Sequence, residues 1–419
     1  MAASLRSTWA LLLGIALIML GSGLQSTLLG VRAALEDFPT TMTGLVMSAY
    51  FAGFLAGSIA APRLLQQVGH VRVFAALASL ASTAVLAHAV VVEPWTWIAM
   101  RLLTGFCSAG LYVVAESWLN DRATNETRGQ LLAAYMVIVL GGVGGGQFLL
   151  NVADPAGFVL FIAASILISL ALIPILLTAT PAPDFTSPTT ISLRELYRVS
   201  PLGVIGCFGI GIAQSALWGM SAVYAESIGF SIAEITFYGG AIFLGGILFQ
   251  FPLGRLSDRF DRRQVITGVT CVAFAVSLAA VFIGELSIWH SLAVILLIGG
   301  MCMPAYSLCV AHTNDFLQPS QMVAASASLY FVYGVGASFG PFATAGVMSL
   351  YGPPGFYFSL AVANGAVFLF ALYRMTRRAA VPLEEQVSSI YMPSQGSLVA
   401  TELAAEIMHE EAEEAESQA

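Results

Sequence analysis

The chain has 419 residues, 58% of them hydrophobic and 10% charged. Soluble domains carry about 25% charged residues, so the composition excludes an ordinary water-soluble domain and points to a membrane protein. The net charge of −8, with 16 basic residues that are all Arg, leaves no basic footprint for nucleic acid.

A bilayer core of about 30 Å needs about 20 apolar residues per helix. Twelve segments meet that requirement: 9–33, 42–61, 72–92, 95–118, 130–151, 157–178, 201–225, 233–253, 264–284, 289–312, 321–349 and 356–375. The expected fold is all-α, with twelve transmembrane helices. Residues 9–31 are too long, and too poor in a cleavage signal, to be a removable leader, so they are read as a retained first span. The cysteines (107, 207, 271, 302 and 309) all lie in apolar segments with no Cys-x-x-Cys pair. They are expected to pack as small hydrophobes. His88, His290 and His312 lie near span ends without metal-ligand spacing; no metal and no cofactor is expected.

The arginines set the topology. Arg6, Arg63, Arg72, Arg122, Arg128, Arg194, Arg198, Arg255, Arg259, Arg262, Arg263, Arg374, Arg377 and Arg378 fall at the termini or in alternate connections. By the positive-inside rule that face is cytoplasmic, with both termini on it. The opposite loops carry Glu36, Asp37, Glu93, Asp154, Glu226 and Glu285. Only Arg32 and Arg101 break the pattern. Residues 179–200 carry Pro181, Pro183 and Pro188 and read as a cytoplasmic linker between residues 1–178 and 201–378, ending in a short amphipathic stretch. Residues 379–419 hold nine Glu and no Arg and read as a solvated acidic tail.

The two halves repeat. Gln25–Val31 in the first span matches Gln214–Met220 in the seventh. Gly110–Asp121 in the fourth matches Pro304–Asp315 in the tenth, pairing Tyr112 with Tyr306 and Asp121 with Asp315. Two related six-helix halves place a solute path at their interface.

Between the eighth and ninth spans lies GRLSDRFDRR, with Gly254, Asp258, Arg259, Arg262 and Arg263 at fixed spacing. This run resembles motif A of the major facilitator superfamily (MFS) of secondary transporters, with Asp261 where the family usually has Gly. A worn copy, Pro62–Arg72, has Gln66 and Gln67 in the places of Asp258 and Arg259. Arg101-x-x-x-Gly105 resembles the family's motif B, in which the Arg contributes to proton or substrate coupling. Runs such as ESWLND, PRLLQQVGHVRVF and SPLGVIGCF resemble the bacterial YcaD-type subgroup. The resemblance implies two pseudo-symmetric six-helix bundles, with the first, fourth, seventh and tenth spans lining a central cavity. Gly336-x-x-x-Gly340-Pro341 partly resembles the antiporter motif C, but in the eleventh span rather than the fifth, and close helix packing explains these glycines and those of Gly141–Gln147 as well.

An Arg at depth costs about 3 kcal/mol on insertion scales and must face protein or water; the alternative for Arg101, about two turns into its span, is that it snorkels to the outer headgroups. Arg101, Gly105, Ser108, Tyr112 and Glu116 share one helical stripe. Gln25, Ser26 and Arg32 share a face of the first span; Gln214 and Trp218 share one of the seventh. With Tyr306, these are the candidate substrate and coupling residues, set against ordinary helix–helix hydrogen bonding for Gln and Ser. Arg32 is expected at the interface with Glu36 or Asp37. Glu116, Asp121 and Arg128 could form an ion-pair latch at the cytoplasmic end, as Asp258 and the loop arginines would in the second half; static interfacial pairing is the alternative.

The expected function is alternating-access transport of a small organic solute across a bacterial inner membrane, with protons as the coupling ion and a monomer as the working unit. Efflux is one direction it could take. The alternatives are an uncoupled facilitator and a membrane sensor or scaffold acting through the acidic tail. No His-Glu-x-x-His run suggests an enzyme.

Overall fold

The computed structural model describes residues 2–122, 128–176, 191–283 and 287–378, with three isolated positions beyond. The side chains of residues 2–8, 121, 122, 128–130, 319 and 320 are outside that description. So are most of the linker and nearly all of the acidic tail.

Twelve helices are long and apolar enough to cross a membrane: Trp9–Leu35, Thr40–Val68, His70–Val90, Pro94–Asn120, Leu131–Val152, Val159–Leu176, Pro201–Ser227, Ile232–Arg259, Arg262–Ile283, Ile288–Asn314, Gln321–Tyr351 and Gly355–Met375. Each expected segment corresponds to one of them. The second and eighth run well past their apolar stretches, through Arg63 and Gln66 in one and Arg255 and Arg259 in the other. Long polar side chains at a helix end reach the headgroups, so the backbone stays helical after the apolar run stops. A short helix at Leu193–Val199 leads into the seventh span, its Ser192 hydroxyl accepting from the Glu195 N–H at 3.3 Å. Leu196 is its buried anchor.

The packing is the same in both halves. The first span packs on the fifth and sixth, the second on the fourth, and the third on the fourth and sixth. The seventh packs on the eleventh and twelfth, the eighth on the tenth, and the ninth on the tenth and twelfth. Glycines carry the closest approaches. A β-carbon at Gly105 would overlap the Tyr50 carbonyl, and one at Gly299 would overlap that of Ile242. These are corresponding positions in the second–fourth and eighth–tenth pairs, where backbones meet with no side chain between them.

The halves meet through the second and eleventh, first and seventh, and fifth and eighth spans. On the face away from the arginine-rich loops, Gly44 abuts Ala345 and Pro341, and Gly30 faces Ala222. Asn151 Nδ2 donates to Thr236 Oγ1 at 3.1 Å across the seam. Towards the arginine-rich face, every residue from Cys107 to Leu119 and from Ile298 to Asn314 is buried. The middle of the seam therefore lies between inter-half packing on one side and buried stretches of the fourth and tenth spans on the other.

Candidate functional site

The space left at the middle of the seam holds about 1070 Å³ free of atoms, its mouth included. Ser22, Gln25 and Ser26 face it from the first span, Tyr50, Phe51 and Phe54 from the second, and Arg101 and Tyr112 from the fourth. Gln147 comes from the fifth, Trp218 and Ser221 from the seventh, Phe243 from the eighth, and Tyr330 and Tyr333 from the eleventh. Both halves thus build it. No tenth-span residue lines it, contrary to the expectation for that helix.

Arg101 is 4% exposed. Its guanidinium sits 4.4 Å from the centroid of the Tyr50 ring, an arrangement worth about 0.5–2 kcal/mol. Gly105 allows it, because only a bare Cα lets the fourth span lie against the Tyr50 backbone. No carboxylate among the described residues pairs with Arg101. Its Nε has no hydrogen-bond partner, and neither do Gln25 Nε2 and Trp218 Nε1. Trp218 lies between Phe51 and Phe243, with ring centroids 6.4 Å away on each side. Tyr112 turns its hydroxyl to Met19 Sδ at 3.1 Å.

Four sequence candidates, Gln25, Ser26, Arg101 and Tyr112, converge here from the first half, and Trp218 joins them from the second. Three others do not line the cavity. Gln214 is fully buried inside the second half, donating to the Cys302 carbonyl at 2.6 Å and accepting from the Tyr333 hydroxyl at 2.9 Å. Tyr306 packs against Tyr333 at 5.0 Å. Arg32 is interfacial: it pairs with Glu36 at 2.5 Å and donates to the Pro155 carbonyl at 3.0 Å, tying the first span to the loop after the fifth. Sequence reading passed over Tyr50, Phe51, Phe54, Gln147, Phe243, Tyr330 and Tyr333. For the second- and eleventh-span aromatics the only signal was spacing by three or four residues, as in Tyr50–Phe54 and Tyr330–Tyr333; Gln147 and Phe243 gave none.

The loop signature forms a buried charge cluster within the second half. Arg262, 1% exposed, places Nε 3.0 Å from the Asp315 carboxylate. That approach is close enough for an ion pair but poorly aligned for a hydrogen bond. The same guanidinium reaches Asp258 at 3.5 Å. The cluster therefore fastens the start of the ninth span to the ends of the eighth and tenth. Asp261, the departure from the signature, caps the ninth span: its carboxylate accepts from the Arg263 N–H at 3.0 Å and holds the Arg263 side chain at 2.7 Å. Burial pushes the Asp261 carboxyl up, but these Arg263 hydrogen bonds outweigh it and leave it below its ordinary pKa. Arg263 also donates to the Arg378 carbonyl at 2.6 Å. Gly254 and Arg259 lie in the last two turns of the eighth span.

In the first half, Glu116 is fully buried and accepts a short hydrogen bond from the Tyr135 hydroxyl. The side chains of Asp121 and Arg128, the other members of the expected latch, lie outside the described residues. His70 Nε2 lies 2.9 Å from Ser117 Oγ and starts the third span as Arg262 starts the ninth. Among the described residues no group of His, Cys, Asp and Glu could hold a metal ion.

The description "Major Facilitator Superfamily" fits residues 11–237 and 203–391. The MFS-type transporter YcaD of Escherichia fergusonii is 28% identical over 383 residues, covering 90% of this chain and 98% of its own. The YcaD protein of Salmonella arizonae is 30% identical over 348 residues, covering 81% and 88%. Among solved structures, a point mutant of the nucleoside transporter NupG superposes with a TM-score of 0.76 at 12% identity, covering 88% of this chain and 99% of that one. A bacterial homologue of the human lysosomal transporter Spinster, inward-facing and unoccupied, gives 0.68 at 15% identity, covering 96% and 98%. With twelve apolar helices, a repeated six-helix packing and these relatives along most of its length, the chain belongs to the major facilitator superfamily and is a multi-pass membrane transporter.

Proposed function

We propose that the protein is a secondary transporter that moves a small organic solute across a bacterial inner membrane by alternating access, with both termini in the cytoplasm. The supporting observation is the cavity between the halves, lined by both, with close inter-half packing on the face away from the arginine-rich loops. A solute there reaches either face only if one set of inter-half contacts parts while the other holds. Residues 1–178 and 201–378 are the two moving units, and the linker at 179–200 lets them rock. The Arg262–Asp315–Asp258 cluster keeps three helices of the second unit moving as one body. The working unit is a monomer, since the cavity needs residues of one chain only.

Protons are the proposed coupling ion. Glu116, a buried carboxylate hydrogen-bonded by Tyr135, is the group to test as their carrier. The experiment uses proteoliposomes and a solute found by a thermal-shift screen. Accumulation driven by a pH jump, and abolished by a protonophore, supports coupling. Equilibration without accumulation identifies an uncoupled facilitator instead.

A further inference from the structure

We propose that the solute is an organic anion of about the size of an aryl carboxylate, held with its charge at Arg101 and its flat apolar body against the Phe51–Trp218–Phe243 rings. This rests on the transporter reading and goes beyond it by assigning a substrate class.

The first ground is charge. Among the described residues that line the cavity, Arg101 is the only Asp, Glu, Lys, Arg or His. It is buried, and no described carboxylate neutralises it. A buried guanidinium ordinarily has an anionic partner, because taking the charge from water costs several kcal/mol that a single aromatic face does not offset. The Tyr50 ring covers one side of the guanidinium and leaves its Nε unsatisfied.

The second ground is the sense of the unsatisfied groups. Three of the residues that line this cavity each carry a buried nitrogen without a hydrogen-bond partner: Arg101 Nε, Gln25 Nε2 and Trp218 Nε1. All three are donors, and an indole or guanidinium N–H cannot be turned into an acceptor. A ligand that satisfies them, as these side chains turn towards it, must bring acceptor atoms. A planar carboxylate, or the face of a sulfonate or phosphate, matches a guanidinium edge in both charge and geometry.

The third ground is the apolar part. Trp218 is sandwiched between rings from the second and eighth spans, so both halves contribute to one aromatic wall. Such a wall suits a flat, weakly hydrated body. The second half supplies no second charge: the position corresponding to Arg101 is Ile295, which is buried. The site is therefore polarised, with one cationic end and one aromatic wall. Binding an anion also removes the cost of enclosing an uncompensated cation, which couples solute occupancy to closure of the seam.

The test is calorimetric binding by the full-length protein in nanodiscs. The probes are benzoate, benzenesulfonate and phenyl phosphate, against the neutral isostere benzamide and the cationic benzylammonium. At least one anion should bind about tenfold or more tighter than both isosteres, the value of one charge-assisted hydrogen bond. Arg101→Gln should erase that preference, Arg101→Lys should keep part of it, and Trp218→Phe should weaken every probe alike. If Arg101→Gln does not fold, the wild-type ranking of the five probes decides by itself. Equal or tighter binding of benzamide or benzylammonium, an anion preference that survives Arg101→Gln, or no binding of any aryl anion would overturn the assignment. The transporter reading survives all three results; it fails only if cross-linking the ends of the two halves leaves solute flux intact.

Discussion

The guanidinium of Arg101 lies over the ring of Tyr50 at 4.4 Å, on the helix that Gly105 allows to come within backbone contact. The arginine, its aromatic support and the glycine form one unit of the second and fourth spans. Arg101→Gln is expected to reduce solute flux about tenfold or more while leaving protein in the membrane. Tyr50→Phe keeps the ring face and should be nearly silent; Tyr50→Leu should lower flux. Flux in proteoliposomes, normalised to folded protein by size-exclusion chromatography, reads all three.

Gly105→Ala is expected to act through packing. The added methyl would meet the Tyr50 carbonyl, so the two helices must separate. Overpacking of this kind costs about 1–3 kcal/mol. The apparent melting temperature should fall, and Gly299→Ala, at the corresponding position of the second half, should lower it comparably. An unchanged melting temperature in both would show that the approach is looser than described.

Gln25 and Gln214 occupy matching places in the repeat and should behave differently. Gln214→Leu removes the partner of the Tyr333 hydroxyl and of the Cys302 carbonyl, a loss of about 1–3 kcal/mol in stability, with solute ranking unchanged. Gln25→Leu should leave the melting temperature near wild type and change solute affinity. The two measurements separate a structural amide from one facing the cavity.

The buried pair Arg262–Asp315 should resist single substitutions poorly. Arg262→Ala leaves the nearly buried Asp315 carboxylate without its guanidinium, at about 3–5 kcal/mol. A double-mutant cycle with Asp315→Asn should recover much of that loss. Asp258, partly exposed and 3.5 Å from Arg262, should matter less for stability; Asp258→Asn is expected to slow transport while the protein stays folded.

Asp261 gives a pH signature. Its carboxyl is held below its ordinary pKa by Arg263. A carboxylate depressed in the folded state contributes stability above its unfolded pKa and loses it as pH falls through the folded value. Asp261→Asn should therefore be less stable than wild type at neutral pH, by about 1 kcal/mol or less for a partly exposed pair. The gap should close on acidification below pH about 4. Melting temperatures of both proteins from neutral to acid pH measure it.

Much of the architecture was legible because each span is a run of apolar residues closed by charges or prolines, and the arginines mark alternate connections. The repeat also survived in sequence, at Gln25/Gln214 and Tyr112/Tyr306. What the repeat could not reveal is that corresponding residues have different neighbours. In the tenth span the Cys302 and Met303 carbonyls, just before Pro304, accept from Gln214; the fourth span has Gly110 in the place of Pro304, and no such bond is made by Gln25 Nε2. Helical periodicity shows that Gln214 and Trp218 share a face, but not which of them reaches the seam. The aromatic wall was silent for another reason. Phe51 and Phe243 look like any apolar residue in a lipid span until the helices are assembled.

The central claim is that solute passes only when the contacts between the halves part. Gly30 and Ala222 face each other across the seam, with a β-carbon at position 30 lying 3.2 Å from that of Ala222, a few tenths of an ångström below the roughly 3.5–4.5 Å a disulfide spans. The direct test is solute flux in proteoliposomes carrying Gly30→Cys together with Ala222→Cys, before and after oxidation, with each single substitution as control. The account predicts that the oxidised double variant stops transporting, that reduction restores flux, and that the single variants are insensitive to both treatments. Undiminished flux through the cross-linked protein would contradict it.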